Sequence, residues 1–331
     1  MCFEWHAFSQ DDLEDVIAEF GIEFDTFSYR FKGVIDDPYL YRNFKNILSS
    51  GGYDAVISWN FWPVVAQVCY DVSIPYIAWV YDCPISYRVV PWITYPTSYT
   101  FIFDRSEHKK YKDLGAKNAY HLPLAVNTKR IDGITVSEDE EKELAAEISF
   151  LGTMYESEYL GYADALTKWE RGYLDACIRA QGEFFGDLIF NEVPDDKFLY
   201  TIMDRWNSEG VLDSKDRENF ALWFRTIISR ERTHRDRVSI IKNLAKKHDV
   251  RYYSYSHCPE LGEVNFHNPL NYHEDMFKMF RTTKINLNIN YRLITKGISL
   301  RALDVMAAGG FLLSNVQEEM LENFKPGVDF A

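Results

Sequence analysis

Three cations and one carboxylate stand close together late in the chain: Arg292, Lys296, Arg301 and Asp304. The cations gather where Leu300, Leu303, Met306 and Ala307 begin to recur at helical spacing, so they surround the start of a helix. Backbone N–H groups and the helix dipole already favour an anion at such a place, and a phosphate or diphosphate is the natural occupant. Asp304 lies about one turn further on and could accept two hydrogen bonds from a ribose diol. A solvated cationic helix start with a surface aspartate fits the same spacing, and residue type alone does not choose between them.

The elements that must position these residues are legible in the flanks. Ile285, Leu287 and Ile289 alternate with Asn286, Asn288 and Asn290, and Phe311 to Leu313 form a second short apolar run. Two strands therefore bracket the helix, a βαβ unit. Gly309-Gly310 sits where the helix C-cap and a tight turn into a parallel strand call for residues without a Cβ penalty.

The run Lys296-Gly-Ile-Ser-Leu-Arg-Ala-Leu-Asp304, followed by Val-Met-Ala-Ala-Gly-Gly, resembles the donor-binding motif of GT-B glycosyltransferases, in which two acidic residues separated by seven others precede a small-residue turn. Most closely it resembles the CgeB-like (spore maturation protein-like) glycosyltransferases, with their Asn-Leu-Asn-Ile strand, Arg-Ala-Leu-Asp helix and Ala-Gly-Gly-Phe-Leu-Leu-Ser strand. Ile77-Ala-Trp-Val-Tyr-Asp82-Cys-Pro84, Phe101-Ile-Phe-Asp104-Arg105 and Leu122-Pro-Leu-Ala-Val-Asn127 are similar to the N-terminal domain that accompanies that family.

The resemblance implies a GT-B-like α/β fold: two Rossmann-like domains facing across a cleft, with a helical insertion in the second. It implies transfer of a sugar from a nucleoside diphosphate sugar, UDP-sugar favoured, to a hydroxyl acceptor on a glycan or protein. Asp304 would hold the ribose, while Arg292, Arg301 and Lys296, with Gly297 beside them, would bind the leaving diphosphate. Two departures stand out. The first acidic position of the motif is Lys296, and the second is aspartate where the motif has glutamate. A nucleotide-sugar-binding or structural protein that lost catalysis, or a nucleotide-sugar epimerase, is also compatible with this fold.

No D-x-D-like motif stands in a convincing place, so side-chain cations would replace a metal and activity would be metal-independent, with no cofactor. Cys2, Cys69, Cys83, Cys177 and Cys258 show neither a C-x-x-C pair nor regular spacing, which indicates no zinc site and no disulfide framework. A net charge of -14 argues against nucleic acid as partner, because phosphate backbones need a positive surface. No apolar run approaches the roughly 20 residues of a membrane span, and a cytoplasmic protein is expected.

At 331 residues the chain has room for two domains. Strand-like runs at 23–29, 55–59, 76–81, 99–103 and 119–122 alternate with helical stretches at 11–20, 39–48, 62–71 and 106–114, which implies a doubly wound, mostly parallel sheet over 1–135. Ligands in such sheets bind beyond the carboxyl ends of the strands. That rule picks out Glu4-Trp-His6, Asn60-Phe-Trp62, Asp82-Cys-Pro84 and Asp104-Arg105, with His6 and Asp82 as candidates for a general base. An edge histidine and a turn-forming aspartate before Pro84 are the structural alternatives.

The acidic run in 136–147 reads as a solvated helix or linker, and a donor-binding domain follows over 148–331. Ser149-Phe-Leu-Gly152-Thr reads as its first strand and turn, where a Gly152 or Thr153 amide could approach a donor phosphate or simply make the turn. His273, in the loop ahead of the βαβ unit, could border the base or sugar. A helical insertion is expected over about 155–229, with a new helix opening at Arg230-Glu-Arg-Thr-His-Arg-Asp-Arg237, a cluster that reads as a solvated face. The clipped first strand and short C-terminal end suggest a fragment.

Overall fold

The computed structural model describes residues 1–4, 9–29, 37–85, 89–155 and 158–331. Two units divide the chain, Met1–Val126 and Asn127–Ala331, each with a parallel sheet of its own. In the first, strands and helices alternate: β1 (Cys2–Glu4), α1 (Gln10–Glu19), β2 (Thr26–Ser28), α2 (Pro38–Gly51), β3 (Val56–Trp59), α3 (Pro63–Asp71), β4 (Tyr76–Val80), α4 (Val90–Ile93), β5 (Ser98–Ile102), α5 (Arg105–Asp113) and β6 (Ala119–His121). The sheet order is β2-β1-β3-β4-β5-β6. Every neighbouring pair is parallel, as the alternation predicts.

Local chemistry explains the better-defined elements. Asp37 accepts the Leu40 amide at 3.0 Å, Pro38 pre-sets the first turn, and Gly52 at φ +67° ends α2 in the left-handed region. Leu40, Phe44 and Leu48 are then buried against Phe3, Val56 and Tyr76 of the sheet. In contrast, α1 buries the polar Gln10 and Asp12, while Leu13 and Ile17 are half-buried and Phe20, which follows its end, is 78% exposed. Gln10 anchors it by donating to Cys2 Sγ at 3.0 Å and Glu14 Oε1 at 2.9 Å.

The second unit comprises α6 (Thr128–Asp132), α7 (Glu138–Leu144), β7 (Ile148–Leu151), α8 (Glu158–Tyr162), α9 (Lys168–Ala180), α10 (Asp196–Ser208), α11 (Arg217–Leu244), β8 (Val250–Tyr253), β9 (Asn265–His267), α12 (Asp275–Thr282), β10 (Ile285–Asn288), α13 (Leu300–Ala307), β11 (Leu312–Ser314) and α14 (Glu318–Asn323). Its sheet order is β11-β10-β7-β8-β9, again all parallel. The expected βαβ unit is β10-α13-β11, and Gly309 ends α13 at φ +76°.

Two boundaries differ from the sequence reading. Residues 127–144 belong to the second unit instead of forming a domain end and linker, because specific bonds hold them there. Arg281 donates to the carbonyls of Ile131, at 3.0 Å, and Ile134, and Lys278 reaches Glu140 at 2.6 Å. The acidic run is a helix start, closed by a capping box between Ser137 and Glu140. Likewise, no new helix opens at Arg230: α11 runs unbroken for 28 residues. Its first half, with Phe220, Phe224 and Ile228, packs on Leu174, Phe190 and Trp206 in the insertion. Its second half, with Val238 and Ile241, packs under Ile148, Tyr252 and Leu287 of the sheet.

Trp206 is fully buried at the centre of the insertion, and its indole N–H donates to the Ala165 carbonyl at 2.8 Å. Trp206→Ala should cost about 3–5 kcal/mol locally. Hydrogen exchange should show lost protection in α9, α10 and the first half of α11, with the β7, β8 and β10 amides unchanged; uniform loss would mean that the two cores unfold as one.

Candidate functional site

In the second sheet the connections β7-β8-β9 run one way, and the chain then returns to place β10 on the opposite side of β7 with β11 beyond it. The strand order reverses between β7 and β10, and at such a switch point a crevice opens outside the carboxyl ends of the strands. Two loops bound it, Gly152–Tyr155 after β7 and Ile289–Arg292 after β10.

Both loops are held from below by α11. Arg237 donates through Nε and Nη2 to the Ile289 carbonyl, at 3.1 and 2.7 Å, and through Nη1 to the Thr153 carbonyl. A single guanidinium thus ties together the ends of the two central strands. His234 contributes a second tie, with Nδ1 2.8 Å from the Met154 carbonyl and Nε2 2.9 Å from Glu260. Thr233 Oγ1 accepts the Arg292 amide at 3.1 Å. Above them Tyr155, at φ +52°, stacks on Tyr291 with centroids 4.8 Å apart, and the Arg237 guanidinium carbon lies 4.8 Å from the Tyr155 ring. Arg237 is 8% exposed and bonded to carbonyls, and among the described residues no carboxylate pairs with it. Burial pushes its pKa down from the usual value, yet a guanidinium stays protonated, so the crevice floor is positive.

Asp236, on the same helix, receives two arginines: Arg232 Nη2 and Arg292 Nε, each at 2.6 Å. Arg292 also donates Nη1 to the Phe184 carbonyl at 2.7 Å, and its guanidinium lies 3.6 Å from the Phe185 ring centroid. Arg232 donates to the Ile178 carbonyl at 3.4 Å. An added Cβ at Gly182 would sit 2.8 Å from Arg232 Nη1 and would make that guanidinium shift. The sequence reading places Arg292 on a diphosphate; its side chain is 3% exposed and occupied in pinning the insertion to β10.

Gly152 differs from its expected use as well. Its amide donates to the Tyr253 carbonyl at 3.0 Å, so it extends the β7–β8 ladder and does not face a phosphate. A Cβ there would come within 3.1 Å of Phe150 Cζ, a tight contact that the ring would have to yield to. The remaining candidates gather around the start of α13. Lys296 pairs with Glu318 at 2.7 Å with a third of its side chain exposed, and Gly297 leads into the cap residue Ser299. Ser299 does not cap α13 with its side chain; its hydroxyl donates to Asn288 Oδ1 at 3.2 Å. Arg301 Nη1 stands 3.7 Å from Asp304 Oδ2, and Asp304 is 1% exposed, not on the surface. Arg301 also touches Met276 Sδ in the first turn of α12, just beyond His273. His273 is exposed, its carbonyl accepting Arg130 Nη1 at 2.6 Å.

The asparagines of β10 form a buried ladder. Asn288 donates to Ser314 Oγ at 2.9 Å and to Asn290 Oδ1 at 3.1 Å, and the Asn290 amide N–H donates to Asn315 Oδ1 at 2.8 Å. Sequence reasoning found the alternation but missed the α11 residues, since an arginine-rich octet reads as solvated. The signal was phase: Glu231 and His234 fall on the stripe that carries Phe224, Ile227, Val238 and Ile241, and both are buried.

In the first unit the order reverses between β1 and β3. His6 lies outside the described residues. Asn60, at φ +59°, accepts the amides of Tyr81 and Asp82 at 2.8 and 2.9 Å and donates to Asp82 Oδ2 at 2.8 Å. Surrounding protein raises the Asp82 pKa and Asn60 partly opposes this; because the side chain still meets solvent, the upward push is a screened one. Asp104 is the buried N-cap of α5, bonded to the Ser106 and Glu107 amides, and not a surface group. Glu107 accepts the Ile85 amide at 2.8 Å, and burial pushes its pKa up to about 7.

Residues 225–331 match the model of a family described as glycosyl transferase-like. No curated protein matches the sequence. Among solved structures, HepE from Anabaena, crystallised with UDP and glucose, is 9% identical with a TM-score of 0.40, over 96% of this chain and 74% of that one. Sucrose-phosphate synthase from Thermosynechococcus elongatus is 9% identical with a TM-score of 0.46, over 96% and 81%. Both likenesses are distant. Among the described residues no cluster of three or more His, Cys, Asp or Glu could hold a metal ion, and no helix is long and apolar enough to cross a membrane.

Two measurements probe this arrangement. Asp236→Ala leaves the buried Arg292 and the half-buried Arg232 without their carboxylate and should cost about 3–5 kcal/mol in denaturant unfolding. A loss below about 1 kcal/mol would show the pair to be a weak surface bridge. Glu107 has its folded pKa raised above the unfolded value, so its neutral form stabilises the fold at low pH and that contribution is lost as pH rises from about 4.5 through about 7. Stability of the first unit should therefore fall by a few kcal/mol between about pH 5 and pH 8, and Glu107→Gln should flatten the profile.

Proposed function

We propose that this protein is a GT-B-type glycosyltransferase whose donor, a nucleoside diphosphate sugar, binds at the switch-point crevice of the second unit. One observation carries the reading. The glycosyl transferase-like match over 225–331 runs from α11 to α14, so it takes in the helix that floors the crevice, the β10 loop and the start of α13. The chemistry there suits a diphosphate: no side chain caps α13, Lys296 and Arg301 flank its first turn, and Arg237 makes the floor positive. Charge developing on the leaving group is where such donors lower the barrier most. Asp304 would accept the ribose hydroxyls after a local adjustment of α13, since its side chain is buried. Side-chain cations and the helix start take the role a metal would have, and activity should be metal-independent. The UDP-sugar preference rests on the CgeB-like resemblance.

On the first unit, Asp82 is the group we assign to proton abstraction from an acceptor hydroxyl. Asn60 fixes its orientation, and its raised pKa brings it nearer the range of a working base. A second reading has one observation in its favour. Lys296, standing where the motif has an acid, is engaged by Glu318, as in a protein that keeps the donor fold and has lost turnover.

A thermal-shift series with UDP, GDP, dTDP, CMP and their sugars separates these readings. A nucleotide at about 100 times its dissociation constant should stabilise the fold by roughly 2.7 kcal/mol. Asp304→Asn should weaken that nucleotide by roughly 1.5–3 kcal/mol in calorimetry. Undiminished affinity in a folded variant would remove Asp304 from the site. Donor consumption that persists in chelator supports metal-independent transfer, stabilisation without consumption supports the binding protein, and silence across the series overturns the donor site.

A further inference from the structure

The loop after β4 is held from both sides. Asn60, at the end of β3, accepts the Tyr81 and Asp82 amides, and Glu107, in the first turn of α5 beyond β5, accepts the Ile85 amide through Oε1 at 2.8 Å. Pro84 has no N–H, so three of the four backbone donors in 81–85 end on side chains sent from the two strands that flank β4. We infer that Glu107 is a proton-linked latch on the loop that carries Asp82: its neutral carboxyl keeps the loop closed, and its ionisation makes opening easier. The consequence for catalysis rests on the proton-abstraction role assigned to Asp82 above; the latch itself does not.

The carboxyl is buried where a charge has little to balance it. Glu107 is 5% exposed. Facing it are the Cys83 thiol of the loop, within hydrogen-bonding reach, the Asp104 carboxylate at the start of α5, and Lys110 one turn along that helix. Burial pushes the thiol well above its ordinary range, so it brings no charge. Asp104 opposes a second negative charge and is held in place, because it caps α5 through the Ser106 and Glu107 amides at 2.9 and 3.2 Å. Lys110 favours ionisation but forms no ion pair with Glu107 among the described residues. A buried carboxylate without a paired cation is costly, and the cost disappears when water reaches it. Ile85 and Cys83 are the loop groups that contact the carboxyl, so lifting 83–85 is the local movement that hydrates it.

Proton linkage sets the direction. Burial, opposed by Lys110 and by the bonds to Ile85 and Cys83, raises Glu107 from 4.5 to about 7 in the closed loop. In an opened, hydrated loop it returns to its ordinary value. Below both values the closed and open forms hold the proton equally, and the loop is at its tightest. Between them each pH unit favours opening by a further factor of about ten, and above about 7 the effect levels off at roughly 300-fold in all. Asn60 does not titrate, so the β3 side of the loop stays fixed over that range. Asp82 is thus held by two anchors in mild acid and chiefly by one above neutrality.

Hydrogen exchange read by mass spectrometry tests this on the whole chain without any substrate, in the wild type, E107Q and K110A between about pH 5 and about pH 8, with rates corrected for intrinsic exchange. The expected result is that fragments covering 81–85 exchange through a local opening, roughly a hundredfold or more faster than the amides of β4 and β5. That opening should rise by about tenfold per pH unit up to about pH 7 and then level off. E107Q keeps an acceptor for the Ile85 amide and should show no such rise. K110A alters an exposed side chain, removes the cation that favours ionisation, and should move the levelling point to higher pH. Exchange of 81–85 only together with β4 and β5, a pH-independent opening in the wild type, or the same rise in E107Q overturns the latch. If E107Q does not fold, the wild-type profile and K110A decide on the same terms. Donor turnover undiminished in D82N would remove Asp82 as the base and leave the latch standing.

Discussion

The second unit depends on one carboxylate, 12% exposed, shared by two arginines. Asp236 sits on α11 and draws Arg232 from its own helix and Arg292 from the loop after β10, and each arginine also donates to one carbonyl of the insertion. Removing two guanidinium groups from water is costly, and only the shared partner together with the carbonyl bonds offsets that cost. A helical subdomain inserted between β7 and β8 is thereby fixed to a strand that comes more than a hundred positions later in the chain, Phe184 to Arg292. Arg237, one residue on, performs the same service for the sheet, joining β7 to β10 at the reversal of strand order.

Much of the fold was legible because both sheets are parallel and their strands alternate with amphipathic helices. Val56–Trp59, Tyr76–Val80 and Ser98–Ile102 fall where apolar runs put them, and β10-α13-β11 carries the caps and turn that Gly309-Gly310 announces. The site was legible in outline only. Lys296, Gly297, Arg301 and Asp304 do gather at the start of α13, but Arg292 and the Gly152 amide are engaged in holding the protein together. A single sequence shows that a cation is near a helix start; it does not show whether a distant aspartate, here 56 positions upstream, has already claimed it. For the same reason the octet 230–237 read as solvent-facing, although its burial was encoded in the phase of the helix that contains it.

Polar burial recurs wherever this unit needs fixed geometry. Asn286, Asn288 and Asn290 are each at most 5% exposed, and they link β10 to Ser149, Ser314 and Asn315 on its two neighbours. Such cross-strand amide bonds fix the register of the central strands, since a slip of one residue would turn the asparagines to the opposite face. They also leave the loops at the strand ends with little freedom to reposition.

The unbroken course of α11 carries a consequence for how this protein can change. Its first half is keyed to the insertion through Phe220 and Phe224 and its second half to the sheet through Val238 and Ile241, with Asp236 and Arg237 between. Each residue of an α-helix turns about 100° around the axis. Deleting one position between Phe224 and Thr233 would swing the whole insertion by that angle relative to the sheet and carry the 181–187 segment away from Arg292. Length variation in this stretch is therefore constrained by rotational phase, and the insertion can drift freely in sequence only on the side away from that shared rod.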